Sequence, residues 1–139
     1  MNVAEVMSTP AITVSPNDTL ETAVEVMLSN TIGCVVVVDH GVVGILTRSD
    51  VLKALTAQRA TLTSASVESG MSHRPITITP EVSVETALRT MEEAEVKKLP
   101  VVADLELVGI ITMTDIARQL PARVQEARRA FERREEWAG

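Results

Sequence analysis

The fold of this 139-residue chain is decided by two stretches, Gly44-Ile45-Leu46-Thr47-Arg48-Ser49-Asp50 and Gly109-Ile110-Ile111-Thr112-Met113-Thr114-Asp115. Both have the pattern Gly-x-x-Thr-x-x-Asp. In each, an apolar β-rich run leads up to the threonine and a helical pattern follows it, so the motif marks the junction of a strand and a helix. Because the motif occurs twice, it indicates an internal repeat.

The repeat extends outward from these motifs. An offset of 64 residues aligns Met7-Ser8 with Met71-Ser72, and the same offset holds for about thirty positions beyond them. One residue inserted near Leu105 raises the offset to 65, which aligns Asp50 with Asp115. A register of this length indicates two copies of one unit.

Each copy has the pattern of a strand, a helix, two strands and a second helix. The predicted strands are Ile12–Val14, Cys34–Val38, Val42–Leu46, Ile76–Ile78, Leu99–Val102 and Leu107–Ile111. A helix with one apolar face follows the first strand of each copy; Asp18 or Thr19 can cap it in the first copy and Ser83 in the second. The closing helices are predicted over Arg48–Ala57 and Met113–Leu120.

These patterns divide the chain into a first repeat over residues 1–57, a linker over 58–65, a second repeat over 66–121 and a charged helix over 122–139. The last segment carries a thin apolar stripe, Val124, Ala127 and Phe131. We therefore expect a helix that packs lightly, as a solvated extension or, alternatively, as a helix that binds a partner.

Neither repeat is expected to be stable alone. About sixty residues without an aromatic side chain form a marginal core. The β-runs are apolar at nearly every position, as is typical of strands covered on both faces. We therefore predict an α/β (α+β) fold in which two β-α-β-β-α repeats pack sheet to sheet with pseudo-two-fold symmetry and leave ligand clefts where they meet.

Composition limits the partners. The 13 Lys and Arg against 19 Asp and Glu give a net charge of −6, which argues against nucleic-acid binding. No basic and apolar leader opens the sequence, and the longest apolar run, Cys34–Val38, is too short to cross a bilayer. We expect a cytoplasmic protein without a membrane partner.

The Gly-x-x-Thr-x-x-Asp motif allows two interpretations. A threonine N-cap with an acidic residue three positions later is close to a capping box, which needs no ligand. The same groups can bind one, because free N–H groups at a helix start attract phosphate and a carboxylate accepts hydrogen bonds from a ribose diol. The preceding glycine lets another group approach the strand closely. Capping and binding do not exclude each other.

No catalytic arrangement is expected. His40 lies in a predicted turn, and His73 precedes a strand, so neither completes a nucleophilic triad. Two histidines and one cysteine make no metal site. We predict that the chain is not an enzyme and binds no metal.

The repeated unit resembles a cystathionine-beta-synthase (CBS) domain, and the chain resembles a tandem pair of them. The residues that carry the resemblance are Met7-Ser8-Thr9-Pro10, Met71-Ser72, the strands around Thr13 and Thr77, Lys97-Lys98-Leu99-Pro100-Val101-Val102 and the two Gly-x-x-Thr-x-x-Asp motifs. The resemblance covers residues from Val3 to Pro121.

The resemblance implies a module that forms a homodimer and binds AMP, ADP, ATP, S-adenosylmethionine or NAD. On this chain it implies that Asp50 and Asp115 hold the ribose and that Thr47 and Thr112 hold the ribose or the α-phosphate. The adenine edge is then read by the backbone of Ile12, Thr13, Val14, Ile76, Thr77 and Ile78, and the adenine face is lined by Val35, Val36, Leu99 and Pro100.

The two implied sites differ in charge. The second repeat has Lys97 and Lys98 where they can meet phosphate, whereas the first has Gly33 and Cys34. We therefore expect phosphate near Lys97 and a weaker, empty or less anionic site around Asp50.

Together these features predict a stand-alone regulatory module that binds an adenosine-containing ligand in clefts between the repeats. It would signal by changing the geometry of a dimer or of a complex with a protein effector in trans. An adenine nucleotide or S-adenosylmethionine is then a regulatory ligand, and no cofactor is obligatory. The alternative is a ligand-free scaffold that works through dimerisation and the C-terminal helix.

Overall fold

The computed structural model describes the backbone of residues 1–138 and the side chains of residues 1–133. In chain order the elements are α1 (Val3–Val6), β1 (Thr13–Val14), α2 (Leu20–Asn30), β2 (Cys34–Val38), β3 (Val42–Thr47), α3 (Arg48–Gln58), α4 (Val67–Gly70), β4 (Ser72–His73), α5 (Val84–Ala94), β5 (Lys98–Ala103), β6 (Glu106–Thr112), α6 (Met113–Ala117) and α7 (Pro121–Ala138). The mixed α and β class and the duplication are confirmed.

The chain forms two compact units. The continuous unit is Ala11–Pro75, and the split unit combines Met1–Pro10 with the chain from Ile76 onward. These units are not the predicted repeats of residues 1–57 and 66–121. Each unit takes the body of one repeat and the opening segment of the other.

The continuous unit contains a four-stranded sheet with the order β1-β2-β3-β4. Strand β1 runs parallel to β2, with Thr13 opposite Val36, and β3 is antiparallel to both β2 and β4. Helices α2 and α3 cover one face of this sheet. The core between them includes Leu20, Met27, Val35, Leu46 and Val51.

The split unit repeats this arrangement around the hairpin of β5 and β6. Ile78 pairs in parallel with Val101, and Ser8 pairs in antiparallel fashion with Ile110. These bridges correspond to the pairing of β1 and β4 in the continuous unit. Its core includes Val3, Leu88, Leu99, Ile111 and Ile116.

The opening segments dock through matched hydrogen bonds. The amide of Val3 donates to the carbonyl of Val82 over 2.8 Å, and the amide of Val67 donates to the carbonyl of Asp18 over 2.7 Å. Both valine side chains are fully buried. The first ten residues are therefore part of the fold of the split unit.

A glycine lets each opening segment approach the neighbouring strand. A Cβ on Gly109 would lie 2.9 Å from the carbonyl oxygen of Ser8, and a Cβ on Gly44 would lie 2.9 Å from that of Ser72. Such distances are shorter than any tolerated contact. This close approach is the reason that each motif begins with glycine.

The predicted helix starts are confirmed, with Thr19 capping α2 and Ser83 capping α5. The closing helix of the second copy is shorter than predicted, because α6 ends at Ala117. Pro121 then opens α7, since proline suits the first helical position and disfavours helical geometry in the residue before it.

The C-terminal helix differs from the expectation of a lightly packed extension. Val124, Ala127 and Phe131 are 1%, 2% and 8% exposed and belong to the core of the split unit. Their spacing places all three on one side of α7, which shields them against α5 and α6. The thin stripe is thus a core component, while the charged residues around it face solvent.

Substituting Gly44 or Gly109 with alanine is expected to lower the free energy of unfolding by about 1–3 kcal/mol, because the new methyl group meets a strand carbonyl that cannot move alone. Urea unfolding followed by circular dichroism measures the loss. Gly33→Ala is the matched control, since the methyl group there meets only the flexible side chain of Arg48. Equal stability of all three variants would contradict the close-approach argument.

The variant Phe131→Ala is expected to cost about 3 kcal/mol, because it removes an aromatic ring from a core with few large side chains. Arg128→Ala, on the exposed side of α7, should change the urea midpoint little. A solvated extension would instead leave both midpoints unchanged.

Candidate functional site

Side chains alternate between the two faces of a sheet along each strand, and this decides which face each predicted site residue occupies. In the continuous unit, Val14, Val35 and Leu46 point into the core, so Thr13, Val36 and Thr47 occupy the opposite face. We call this the outer face of the sheet. The outer face of the split unit carries Thr77, Pro100 and Thr112 by the same rule.

This alternation reduces the number of residues that can line the predicted adenine site. Val35 and Leu99 are fully buried in the two cores. Their neighbours Val36 and Pro100 are also buried but lie on the outer faces, so the face and not the exposure makes these the candidates for contact with a base. Two adjacent strand residues cannot line the same side of a sheet.

Each motif forms a complete capping box. The hydroxyl of Thr47 accepts from the amide of Asp50 over 3.1 Å, and the Oδ2 atom of Asp50 accepts from the amide of Thr47 over 2.9 Å. Thr112 and Asp115 have the same two distances. The capping interpretation is confirmed for both copies.

Capping leaves these groups able to bind a ligand. A threonine hydroxyl that accepts one hydrogen bond still has its proton to donate, and a carboxylate offers about four acceptor positions. In the continuous unit, Oδ1 of Asp50 accepts no side-chain hydrogen bond among the residues that the structure describes. The groups therefore retain the capacity that ribose binding needs.

The two carboxylates differ in their surroundings. The Oδ1 atom of Asp115 accepts from the hydroxyl of Ser8 over 3.2 Å, and Asp115 is only 8% exposed. Asp50 is more exposed, and its repeat-related serine, Ser72, makes no such contact within the described residues. The position around Asp115 is thus the more closed of the two.

Backbone groups at the edge of each sheet are available to a base. The carbonyl of Ile12 accepts from Val36, and Ile78 bonds to both Pro100 and Val102. The peptide groups of Thr13 and Thr77 point away from the neighbouring strand, because pairing in a parallel ladder alternates along the chain. Both threonines are exposed.

The two lysines lie in different places. The Nζ atom of Lys97 lies 5.4 Å from the centre of the Phe131 ring, an attractive cation–π contact. Lys98 lies directly opposite Thr112 in the ladder of β5 and β6, which puts their Cβ atoms about 5 Å apart on one face. Lys98 is therefore better placed than Lys97 to meet a ligand held by Thr112.

The histidines lie apart from these groups. His40 is a highly exposed turn residue, and His73 pairs with Gly44 in β4. In the described part of the chain, no three His, Cys, Asp or Glu side chains are placed to hold a metal ion. Nor does any helix there have the length and apolarity to span a membrane. That the chain is not an enzyme stays a prediction.

The contacts of Ser8 with Asp115 and of Phe131 with Lys97 were not found from the sequence. The repeated Met-Ser pair at residues 7–8 and 71–72 was the available signal for the first. It marks an opening segment without showing which strand receives it. The charged residues that surround Phe131 in the sequence did not indicate that its side chain lies in the core.

Comparison with known proteins gives a consistent result. A family model described as CBS domain matches residues 3–57 and 65–122. The CBS domain-containing protein YhcV of Bacillus subtilis is 34% identical over 117 residues, which cover 84% of this chain and 83% of that protein.

Solved structures agree with the family match. The CBS domain pair of protein MJ0100, in complex with 5'-methylthioadenosine and S-adenosyl-L-methionine, is 28% identical with a TM-score of 0.79 and covers 88% of this chain and 98% of its own. CBSX2 in complex with AMP is 25% identical with a TM-score of 0.71, covering 84% and 93%.

The substitution Asp115→Ala is expected to destabilise the protein by about 2 kcal/mol, because it leaves the partly buried amide of Thr112 and the Ser8 hydroxyl without their charged acceptor. Asp50→Ala should cost about 1 kcal/mol, since its site is more exposed and loses only the box. A double-mutant cycle with Ser8→Ala separates the Ser8 contribution. Equal losses for the two aspartates, with no coupling to Ser8, would contradict the assigned asymmetry.

Proposed function

Because the chain belongs to the CBS domain family, we propose that it is a regulatory module that binds an adenosine-containing ligand at the Thr-Asp pair of each unit, with AMP, ADP and ATP as the first candidates. The observation that carries the proposal is the location of a doubled capping box on an outer sheet face, beside the peptide groups of Thr13 and Thr77 that point away from the neighbouring strand. Related CBS pairs that bind AMP, or 5'-methylthioadenosine and S-adenosylmethionine, support the class of ligand.

In the continuous unit, the proposed ligand lies along the outer face of the sheet. The edge backbone at Thr13 reads the adenine, Val36 contacts the ring, and Asp50 accepts from the ribose hydroxyls. The register supports this assignment, since Thr13 is opposite Val36 and the next outer positions lead to Thr47. Aliphatic contact gives a base less dispersion than an aromatic ring would, so hydrogen bonds supply the selectivity.

In the split unit, Thr77, Pro100 and Asp115 play the corresponding parts. Here Lys98 adds a positive charge beside Thr112, where the continuous unit has Cys34. A phosphate close to an ammonium group gains a charge-assisted hydrogen bond. We assign phosphorylated ligands to this unit.

For binding of the ribose, by contrast, the aspartates favour the continuous unit. Among the described residues, Oδ1 of Asp50 accepts no side-chain hydrogen bond, whereas Asp115 shares its second oxygen with Ser8. The two units therefore select on different grounds, one on the ribose and the other on the phosphate. This pattern agrees with the expected less anionic site around Asp50.

The signal would be a population shift. A ligand changes the output only if it binds one arrangement of the module more tightly than another. We propose a homodimer, or a complex with a protein effector, as the assembly whose geometry responds. Because the chain is acidic overall, local positive charge must attract the nucleotide, and Lys98 supplies that charge in the split unit.

Isothermal titration with adenosine, AMP, ADP, ATP and S-adenosylmethionine tests the proposal. At least one phosphorylated ligand should bind, and Lys98→Ala should weaken ATP binding at least about tenfold while changing adenosine binding little. Lys97→Ala is the matched control, because its ammonium group faces Phe131. Asp50→Ala should remove binding in the continuous unit.

Each variant is first checked by thermal unfolding, so that loss of binding is not confused with loss of fold. Binding that survives both Asp50→Ala and Asp115→Ala would contradict the site. Failure of every ligand to bind would favour the scaffold, in which the capping boxes serve only stability.

A further inference from the structure

One hydrogen bond at Asp115 is not part of the capping box. The box uses Oδ2 of Asp115, which accepts from the amide of Thr112 over 2.9 Å. The other carboxylate oxygen, Oδ1, accepts from the hydroxyl of Ser8 over 3.2 Å. A side chain from the first ten residues therefore lies on the oxygen that the box does not use.

The continuous unit has the same serine without the same contact. Ser72 corresponds to Ser8 in the repeat, and it lies opposite Ile45 as Ser8 lies opposite Ile110. Among the described residues, however, the Ser72 hydroxyl makes no hydrogen bond to Asp50. The chain thus contains this serine twice, once in contact with the aspartate of its unit and once apart from it.

Ser8 lies on the sheet face that the proposed ligand contacts. Its partner Ile110 comes two residues before Thr112 on β6, and side chains two residues apart on a strand share a face. Residues directly opposite each other in a ladder also project to one side. Lys98 pairs with Thr112 from β5, on the other side of β6. Ser8 and Lys98 therefore flank Thr112 on one face.

The Ser8 hydroxyl reduces what Asp115 can offer to a ribose. A carboxylate has about four acceptor positions, and the two hydrogen bonds at Asp115 use one on each oxygen. Asp115 is only 8% exposed, which limits the directions from which a ligand can approach it. A ribose hydroxyl that donates to Oδ1 must share that oxygen with Ser8 or displace it.

The backbone holds Ser8 in place beside Asp115. The amide of Ser8 donates to the carbonyl of Ile110 over 2.8 Å, and the amide of Ile110 donates back over 3.1 Å. The buried side chain of Val3 fixes the segment before it. Rotation of the Ser8 side chain is then the way to release Oδ1. Because Ser8 is exposed, water can replace the lost partner, so the displacement has a modest cost.

From these contacts, and resting on the proposed function, we infer that Ser8 determines the class of ligand that the split unit binds. Its hydroxyl competes with the ribose hydroxyls for Oδ1 of Asp115 and so weakens recognition of the sugar. The affinity then depends on a phosphate beside Lys98. The split unit therefore binds phosphorylated nucleosides and discriminates against uncharged ones, whereas the continuous unit, with no serine on Asp50, recognises the ribose directly.

Isothermal titration of each unit in the full chain tests this role. Asp50→Ala leaves the split unit as the binding unit, and Asp115→Ala leaves the continuous unit. Added to the first variant, Ser8→Ala should tighten the binding of both ATP and adenosine about threefold to tenfold, because apparent affinity rises with the fraction of molecules in which Oδ1 is free. Ser72→Ala, added to the second variant, is the matched control and should change neither affinity.

The sugar hydroxyls give a measurement that a purely structural role of Ser8 would not change. The ligands 2'-deoxyATP and 3'-deoxyATP each lack one donor to the carboxylate. In the Asp50→Ala chain, the preference for ATP over them should be small, about threefold or less. Ser8→Ala should raise the preference over at least one of them to about tenfold. Ser8→Thr keeps a hydroxyl and should restore the small preference.

The outcomes separate this inference from the proposed function. If the Asp50→Ala chain binds ATP but Ser8→Ala weakens that binding, or changes neither the affinity nor the preference, Ser8 is not a competitor and the inference is wrong. If the unsubstituted chain binds none of these ligands, the proposed function is wrong as well. A loss of stability cannot imitate the expected result, because Ser8→Ala removes a stabilising contact and should still bind more tightly.

Discussion

The pairing of each opening segment with a strand across a glycine is the interaction on which the rest of the structure depends. Ser8 exchanges two backbone hydrogen bonds with Ile110, of 2.8 and 3.1 Å, directly beside Gly109. The same contact completes the sheet, fixes the N-terminal segment and brings the Ser8 hydroxyl to Asp115. A side chain at the glycine would force the two backbones apart and disturb all three at once.

The duplication explains both the likeness and the divergence of the units. Hydrogen bonds that define the fold are matched almost atom for atom, as at Val3 and Val67. Side chains that do not take part in such bonds differ between the copies. Cys34 of the first copy, for example, corresponds to Lys98 of the second. A polar box that caps a helix in both copies thus has a charged neighbour in one copy and keeps the same two hydrogen-bond distances.

The sequence was sufficient to predict five of the six expected strands, the helix caps and both boxes, because these depend on residues close along the chain. The expected strand Ile76–Ile78 is reduced to an isolated bridge at Ile78, and β4 was missed. Cys34–Val38 is a strand with the predicted limits, and Thr47 caps as expected. It was insufficient for contacts between distant segments, such as Ser8 with Asp115, since a repeated pattern does not reveal which copy of a strand receives each segment. It also misjudged α7, because three apolar residues among many charges resemble a solvated helix until their common burial is seen.

That misjudged helix adds to the core of the split unit alone. Each unit has its own core cluster and its own complete sheet. The capping box of the split unit is formed by the first turn of α6, and Met113 in that turn shares the core cluster with Val124, Ala127 and Phe131 of α7. The C-terminal helix therefore supports the turn that carries Thr112 and Asp115. In the continuous unit the corresponding turn begins α3 at Arg48, and Leu28 on α2 and Leu52 on α3 are exposed. The two boxes therefore have the same hydrogen bonds but different support behind them, and the split unit holds its box in the more closed setting.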